Sequence, residues 1–446
     1  MPANKDIKPD QIRKYEETFR ADPRNKLALN AVTVNPLNKV AQNRESVVAS
    51  NHTFSHKIAE LPITNQKKSG RCWMFAGLNL FRLEAAKNMK LEKFELSQSY
   101  LMFWDKLEKA NYFLESIIET TDEEIGSRLF MFLMEAPIPD AGQWDMFVNL
   151  VRKYGVVPKQ VMPETDSSSA TWPMNRILAT KLREYATELR KMHDEGSKEG
   201  DLRSRKIEML EVIYRILAIH LGEPPTAFNW QWRDKDKKFH RDGVTTPHEF
   251  FKTHVKFDMD SMVCLINCPT PDKPFNKLYT ISYLGNVVGG DIIRYLNVDM
   301  NVFKKAAVDM LKDKKPVWFG CDVGKMIERD AGILNMELYD YELLYNTEFT
   351  ADKAERVAYG HSVMTHAMVL TGVDISDDGN PVKWRVENSW GDKVGDKGYY
   401  VMSDAWFEGY TYEIAVEKRY LPKELLAVLE TEPVRLPPWD PMGSLA

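Results

Sequence analysis

The chain has 446 residues, 43% hydrophobic and 28% charged, with a formal net charge of −5. That length allows one large domain with insertions or two to three domains, and the charge argues against a nucleic-acid binder beyond local basic patches. Four cysteines cannot build a disulfide framework, so a reducing cytoplasmic compartment is expected.

Residues 1–14 alternate charge and proline without an apolar run, so no secretory leader is expected. No apolar stretch reaches bilayer-spanning length either. A short helix over Lys8 to Arg20 belongs to a polar lead-in covering 1–60. The next helix is predicted from Cys72 to about Lys90, with Phe75, Leu78, Phe81, Leu83 and Ala85 on its apolar face. Ser97 is a plausible N-cap for a helix burying Tyr100, Leu101, Phe103, Trp104 and Leu107. A third helix over Gly142 to Tyr154 is stopped by Gly155 and Pro158. Residues 171–222 read as charged helix and 234–260 as polar loop. From residue 261 the texture turns to short strands: Met262 to Ile266, Leu278 to Tyr283, Pro316 to Cys321, Ala367 to Val373, Lys383 to Glu387 and Gly398 to Met402. Helices first and sheet second indicate an α+β protein with two packed halves.

The most informative stretch is Thr64-Asn-Gln-Lys-Lys-Ser-Gly-Arg-Cys-Trp73. Gln66 stands six positions before Cys72, and Cys72 opens a helix, where free N–H groups and the macrodipole favour a thiolate. The Gln66 amide is a candidate donor to a carbonyl oxygen under attack. Taken alone, Cys72 is better explained as a buried structural thiol, as are Cys264, Cys268 and Cys321. A nucleophile also needs a base and an orienting group. Of nine histidines, His366 opens an apolar strand, while the rival His361 lies in the loop before it. Asn388, at the end of a later strand, suits an acceptor for the His366 ring, with Trp390 shielding that bond.

Together these residues resemble the papain-type cysteine peptidases: Gln66 with Cys72-Trp73, His366-Ala367, Asn388-Ser389-Trp390-Gly391, and Gly142-Gln-Trp through Tyr154-Gly-Val-Val157. The resemblance makes Cys72 the nucleophile, His366 the base and then acid, and Asn388 the orienter of the imidazole. Gln66 and the Cys72 N–H form the oxyanion hole, with Trp73 and Trp390 in support. The secreted members carry a further cysteine where this chain has Ser69, which fits a cytoplasmic protein. The span from Cys72 to His366 is roughly twice the roughly 130–150 residues usual in the papain group, so a large block is inserted.

The branch containing bleomycin hydrolase and bacterial aminopeptidase C has such an insertion, and the resemblance to it runs end to end. It includes Trp318-Phe-Gly-Cys-Asp-Val-Gly-Lys325 and the tail Trp439-Asp-Pro-Met-Gly-Ser-Leu-Ala446. It implies a papain-like two-lobed fold divided into an N-terminal extension (1–60), a helical half carrying Cys72 (61–170), a mainly helical insertion for oligomerisation (171–260), a β-rich half carrying His366 and Asn388 (261–425), and a C-terminal arm entering the cleft (426–446). It further implies an aminopeptidase acting on peptides with a free N-terminus and on the carboxamide of bleomycin. The α-carboxylate of Ala446 anchors the substrate's amino group. A homohexamer is implied, and neither metal nor cofactor. Nucleic-acid binding, known for some members, rests here only on lysines such as Lys312, Lys314 and Lys315. Two other classes compete with this reading: a transglutaminase-like acyl transferase, which would carry Asp as its third member and acidic calcium loops, and a non-enzymatic scaffold on a dead peptidase fold.

Overall fold

The computed structural model describes residues 5–446, so the first four residues of the polar lead-in lie outside the described part. The expected helix near the N-terminus runs Pro9–Ala21 and buries no residue. The helical half is built on the nucleophile helix, Cys72–Met89, which is apolar nearly all round and buried along most of its length. Beside it run Gln98–Glu119, capped by the Ser97 hydroxyl as expected, and Trp144–Tyr154. Gly155 ends the latter at φ +69°, and a side chain there would meet the Pro247 backbone.

The charged stretch forms two long helices, Trp172–Asp194 and Glu199–Leu221. They lay Leu178, Leu182, Leu189, Ile213 and Leu217 into the common core and pack against Gln98–Glu119. The segment expected to be loop instead contains a hairpin, Phe228–Arg233 with Phe239–Thr245. Trp230 of that hairpin packs edge-on against Phe250, and Phe251 does the same against Phe81 of the nucleophile helix.

The β-rich half is a twelve-stranded sheet. Its centre is Met262–Ile266, Thr411–Glu417, Val317–Cys321, His366–Ile375, Pro381–Glu387 and Tyr399–Ser403, side by side and antiparallel. The strand Thr411–Glu417 is central yet breaks the apolar pattern with Glu413, which is fully buried. Lys277–Ile281 ends short of the expected Tyr283, which turns to φ +55°. The fold is α+β and papain-like, two packed halves with Trp73, Trp144 and Trp318 buried between them. No helix among the described residues is long and apolar enough to cross a membrane.

Candidate active site

Cys72 is the first residue of its helix, where backbone N–H groups have no intrahelical partner. Its sulfur is buried against the start of the strand His366–Ile375, within hydrogen-bond reach of the Ala367 N–H and of its own and Trp73's N–H. His366 stands at the end of that strand, opposite Cys321 in register. Its Nε2 lies 2.9 Å from Asn388 Oδ1. The Ser389 N–H also donates to that oxygen (2.8 Å), which fixes the amide's orientation. Trp390 covers the pair with its ring centroid 4.9 Å from the imidazole, and the Arg329 guanidinium caps Trp390 at 4.3 Å. His361 is exposed in the preceding turn and takes no part.

Gln66 is set by both ends of its amide. Its Oε1 accepts from the Ser389 hydroxyl (2.6 Å) and its Nε2 donates to the Ser69 carbonyl (2.6 Å), leaving one amide hydrogen free. The Ser69 hydroxyl donates to the Gln66 carbonyl (2.6 Å) and accepts from Arg71 Nε (2.9 Å). Arg71 in turn grips Glu164 through both terminal nitrogens. Where secreted relatives use a sulfur, this loop is therefore closed by hydrogen bonds.

A second loop, 138–142, is held from beneath by two buried lysines. Lys106 donates to the carbonyls of Ile138 and Pro139, and Lys109 to those of Pro139 and Ala141. Asp140 pairs with Lys106 (2.6 Å) and accepts from the Gly70 N–H (3.0 Å), so the two loops are tied together. That pairing, with Thr171 and Asn175, outweighs burial and holds the Asp140 carboxyl well below its usual range. Trp73 Nε1 donates to the Asp140 carbonyl, and Gly142 lies directly on the Trp73 ring, where an added Cβ would sit 2.6 Å from the indole.

The C-terminal residue ends on this loop. The Gly142 N–H donates to Ala446 O (3.1 Å), and the Ala446 N–H donates to the Gly142 carbonyl (3.2 Å). Gln143 Nε2 donates to the Ser444 carbonyl, and Ala446 is only 3% exposed. Trp73 follows Cys72, so the tail stops beside the first turn of the nucleophile helix.

Electrostatically, burial dominates. It pushes the Cys72 thiol up to about 11 against the three backbone N–H groups, and the His366 imidazole down to about 4 against the bond to Asn388. Burial therefore opposes the thiolate that the helix terminus alone would favour. The structure brings Gln66, Cys72, His366 and Asn388, the four residues singled out in the sequence, to one place. Nothing local in the sequence marks Asp140, Lys106 or Lys109 as supports of this site, and the contacts of Ser389 and Gly142 appear only in the fold.

The Peptidase C1-like family matches residues 6–443. The chain belongs to that family. It is 46% identical to aminopeptidase C of Listeria monocytogenes over 98% of both chains. It is 45% identical to bleomycin hydrolase of Mus musculus over 99% of both, and 46% identical to that of Homo sapiens over 96% of both. The crystal structure of PepW from Lactobacillus rhamnosis HN001 superposes with a TM-score of 0.98 at 48% identity, covering both chains completely. The protein is a cysteine peptidase of the aminopeptidase C and bleomycin hydrolase type.

Proposed function

We propose that this peptidase removes N-terminal residues through a Cys72 acyl-enzyme and that its own C-terminus selects for them. His366 takes the Cys72 proton, and the sulfur attacks the scissile carbonyl carbon. The oxyanion that forms faces the free Gln66 amide hydrogen and the Cys72 N–H. His366 then protonates the departing amine, leaving a thioester. Water, deprotonated by His366, hydrolyses it and restores the thiol. Burial disfavours the separated charges, but the thiolate and imidazolium created by proton transfer stabilise one another. Asn388 keeps the ring in the tautomer and orientation that both transfers need.

The observation that carries the aminopeptidase reading is the Ala446–Gly142 pairing. An extended chain bound along Gly142 in place of the tail would continue away from Cys72; with the tail there, only a substrate that begins at the cleft has room. The carboxylate oxygen not bonded to Gly142 is an acceptor for the substrate's ammonium. Relatives named bleomycin hydrolase at 45–46% identity support hydrolysis of the bleomycin carboxamide as well. Cys72→Ala is expected to abolish release of aminoacyl fluorophores. Deleting Ala446, or a few terminal residues, is expected to raise endopeptidase over aminopeptidase turnover at least tenfold on paired blocked and free-amine peptides. An unchanged ratio removes the gating role.

A cytoplasmic homohexamer is part of the same proposal. The exposed Ile12, Tyr15 and Phe19 of the N-terminal helix and Ile207 and Ile219 of the insertion are the apolar surface that assembly would cover. Light scattering on the intact protein tests it against a monomer of 51.6 kDa. Nucleic-acid binding finds less support: Lys312 and Lys314 are exposed, while Lys315 is paired with Glu417.

A further inference from the structure

Between the sheet and Ala446 the arm runs over a short path with several fixings. Val434–Leu436 adds to the sheet edge in parallel with Lys277–Ile281. Trp439 lies under the Arg128 guanidinium at 4.0 Å. Pro441–Gly443 forms a single 3-10 turn, with Met442 buried, and Ala446 follows three residues later. The turn is initiated by Asp440, whose Oδ1 accepts from the Met442 N–H (2.9 Å) and whose carbonyl accepts from the Gly443 N–H (2.8 Å).

The other carboxylate oxygen of Asp440 lies 3.1 Å from Lys273 Nζ, and the two side chains are only 9% and 4% exposed. Lys273 also touches Asp272, but that carboxylate is 67% exposed and is shared with solvent. The lysine is not free to follow a moving arm. Its N–H bonds to the Thr270 carbonyl (3.0 Å), and its own carbonyl accepts from the fully buried Asn297 amide (2.8 Å), which also holds the Cys268 backbone. A buried cation on a fixed loop therefore faces the one carboxylate that shapes the last turn before the tail. Breaking this pair leaves the Asp440 carboxylate without its cation and Lys273 with only the exposed Asp272, so the pair resists opening more than a surface bridge does.

We propose that Lys273 is a positioning residue for the reaction: paired with Asp440, it latches the arm so that the Ala446 carboxylate meets the substrate's ammonium, and thereby sets exopeptidase against endopeptidase specificity. This rests on the gating reading above. Displacing the latch lets the terminal residues leave Gly142, which removes the ammonium anchor and opens the cleft to longer chains.

The test uses Asp440→Asn, which retains an acceptor for the Met442 N–H while removing the charge, together with Lys273→Met, Lys273→Arg and a chain lacking the last four residues. Arm release is read without catalysis, by timed carboxypeptidase digestion and intact mass. Expected results are at least tenfold faster loss of Ala446 in Asp440→Asn and Lys273→Met, a several-fold rise in KM for aminoacyl substrates with a smaller change in kcat, and restoration by Lys273→Arg. If the truncated chain gains endopeptidase activity while Asp440→Asn and Lys273→Met keep the arm protected and the ratio unchanged, the latch is refuted and gating stands. If truncation itself leaves the ratio unchanged, gating fails and the latch loses its role in specificity. A fall in thermal stability without arm release, in either variant, makes Lys273 merely structural and also overturns the proposal.

Discussion

At the scale of single residues, the site divides into groups that meet substrate and groups that aim them. Gln66 has one amide hydrogen left for the oxyanion because Ser69 and Ser389 consume the rest of its hydrogen-bonding capacity. Gln66→Ala should lower kcat by about 10²–10³ in steady-state assays, the usual loss for one oxyanion donor. Ser389→Ala should cost about tenfold, since the amide then loses the contact that keeps its oxygen turned away. Asn388 raises the His366 basicity against burial. Asn388→Ala should therefore move the acid limb of the kcat/KM profile to lower pH by about one unit, the scale of a lost hydrogen bond to a charged ring. An acid limb that stays in place contradicts that account. Gln66, Cys72, His366 and Asn388 were legible because each lies in a short motif with its own local context. The work of Ser389 was not, because its partner Gln66 lies at the far end of the chain and only folding makes them neighbours.

At the scale of elements, the question is what keeps the nucleophile helix in register with the strands bearing His366 and Asn388. Arg82, on that helix, pairs with Glu387 at 2.6 Å, and both are buried. Glu387 immediately precedes Asn388, so the ion pair ties the helix to the strand end that orients the base. Arg82 also donates to the Pro62 carbonyl, fastening the segment that leads to Gln66. Arg82→Met should lower unfolding free energy by about 3–5 kcal/mol in denaturant titrations, because Glu387 is left buried without its partner. The double variant with Glu387→Met should recover most of that loss in stability while kcat stays depressed. Sequence periodicity found the long helices before residue 222 and five of the six central strands to within a few residues, since their apolar spacing is regular. It missed Thr411–Glu417, although that strand is central, because Glu413 and Glu417 interrupt the pattern that announces a buried strand. It also missed the hairpin at 228–245, whose outward face is polar and whose inward residues, such as Trp230, find their partners in other elements.

At the scale of the whole molecule, the same interruption makes folding depend on pH. Glu413 sits between the halves with both carboxylate oxygens lacking a partner, near Asp145, Cys264 and the unpartnered hydroxyl of Tyr295. Burial, aided by the charge of Asp145, pushes the Glu413 carboxyl up to about 8, and burial raises Asp145 to about 6. Both values lie above those of the unfolded chain, so the folded protein holds protons that the unfolded chain has released. The stability from these neutral acids is fully present below about 4 and is lost as pH rises towards 8, at up to about 1.4 kcal/mol per pH unit for each group still protonated only in the fold. Glu413→Gln keeps the shape and removes that ionisation. Its melting temperature should fall less than that of the unaltered chain between pH 5.5 and pH 8.5 in calorimetric scans, with the two curves closest at the acid end. If the curves stay parallel across that range, Glu413 is not the group through which alkali loosens the contact between the catalytic halves.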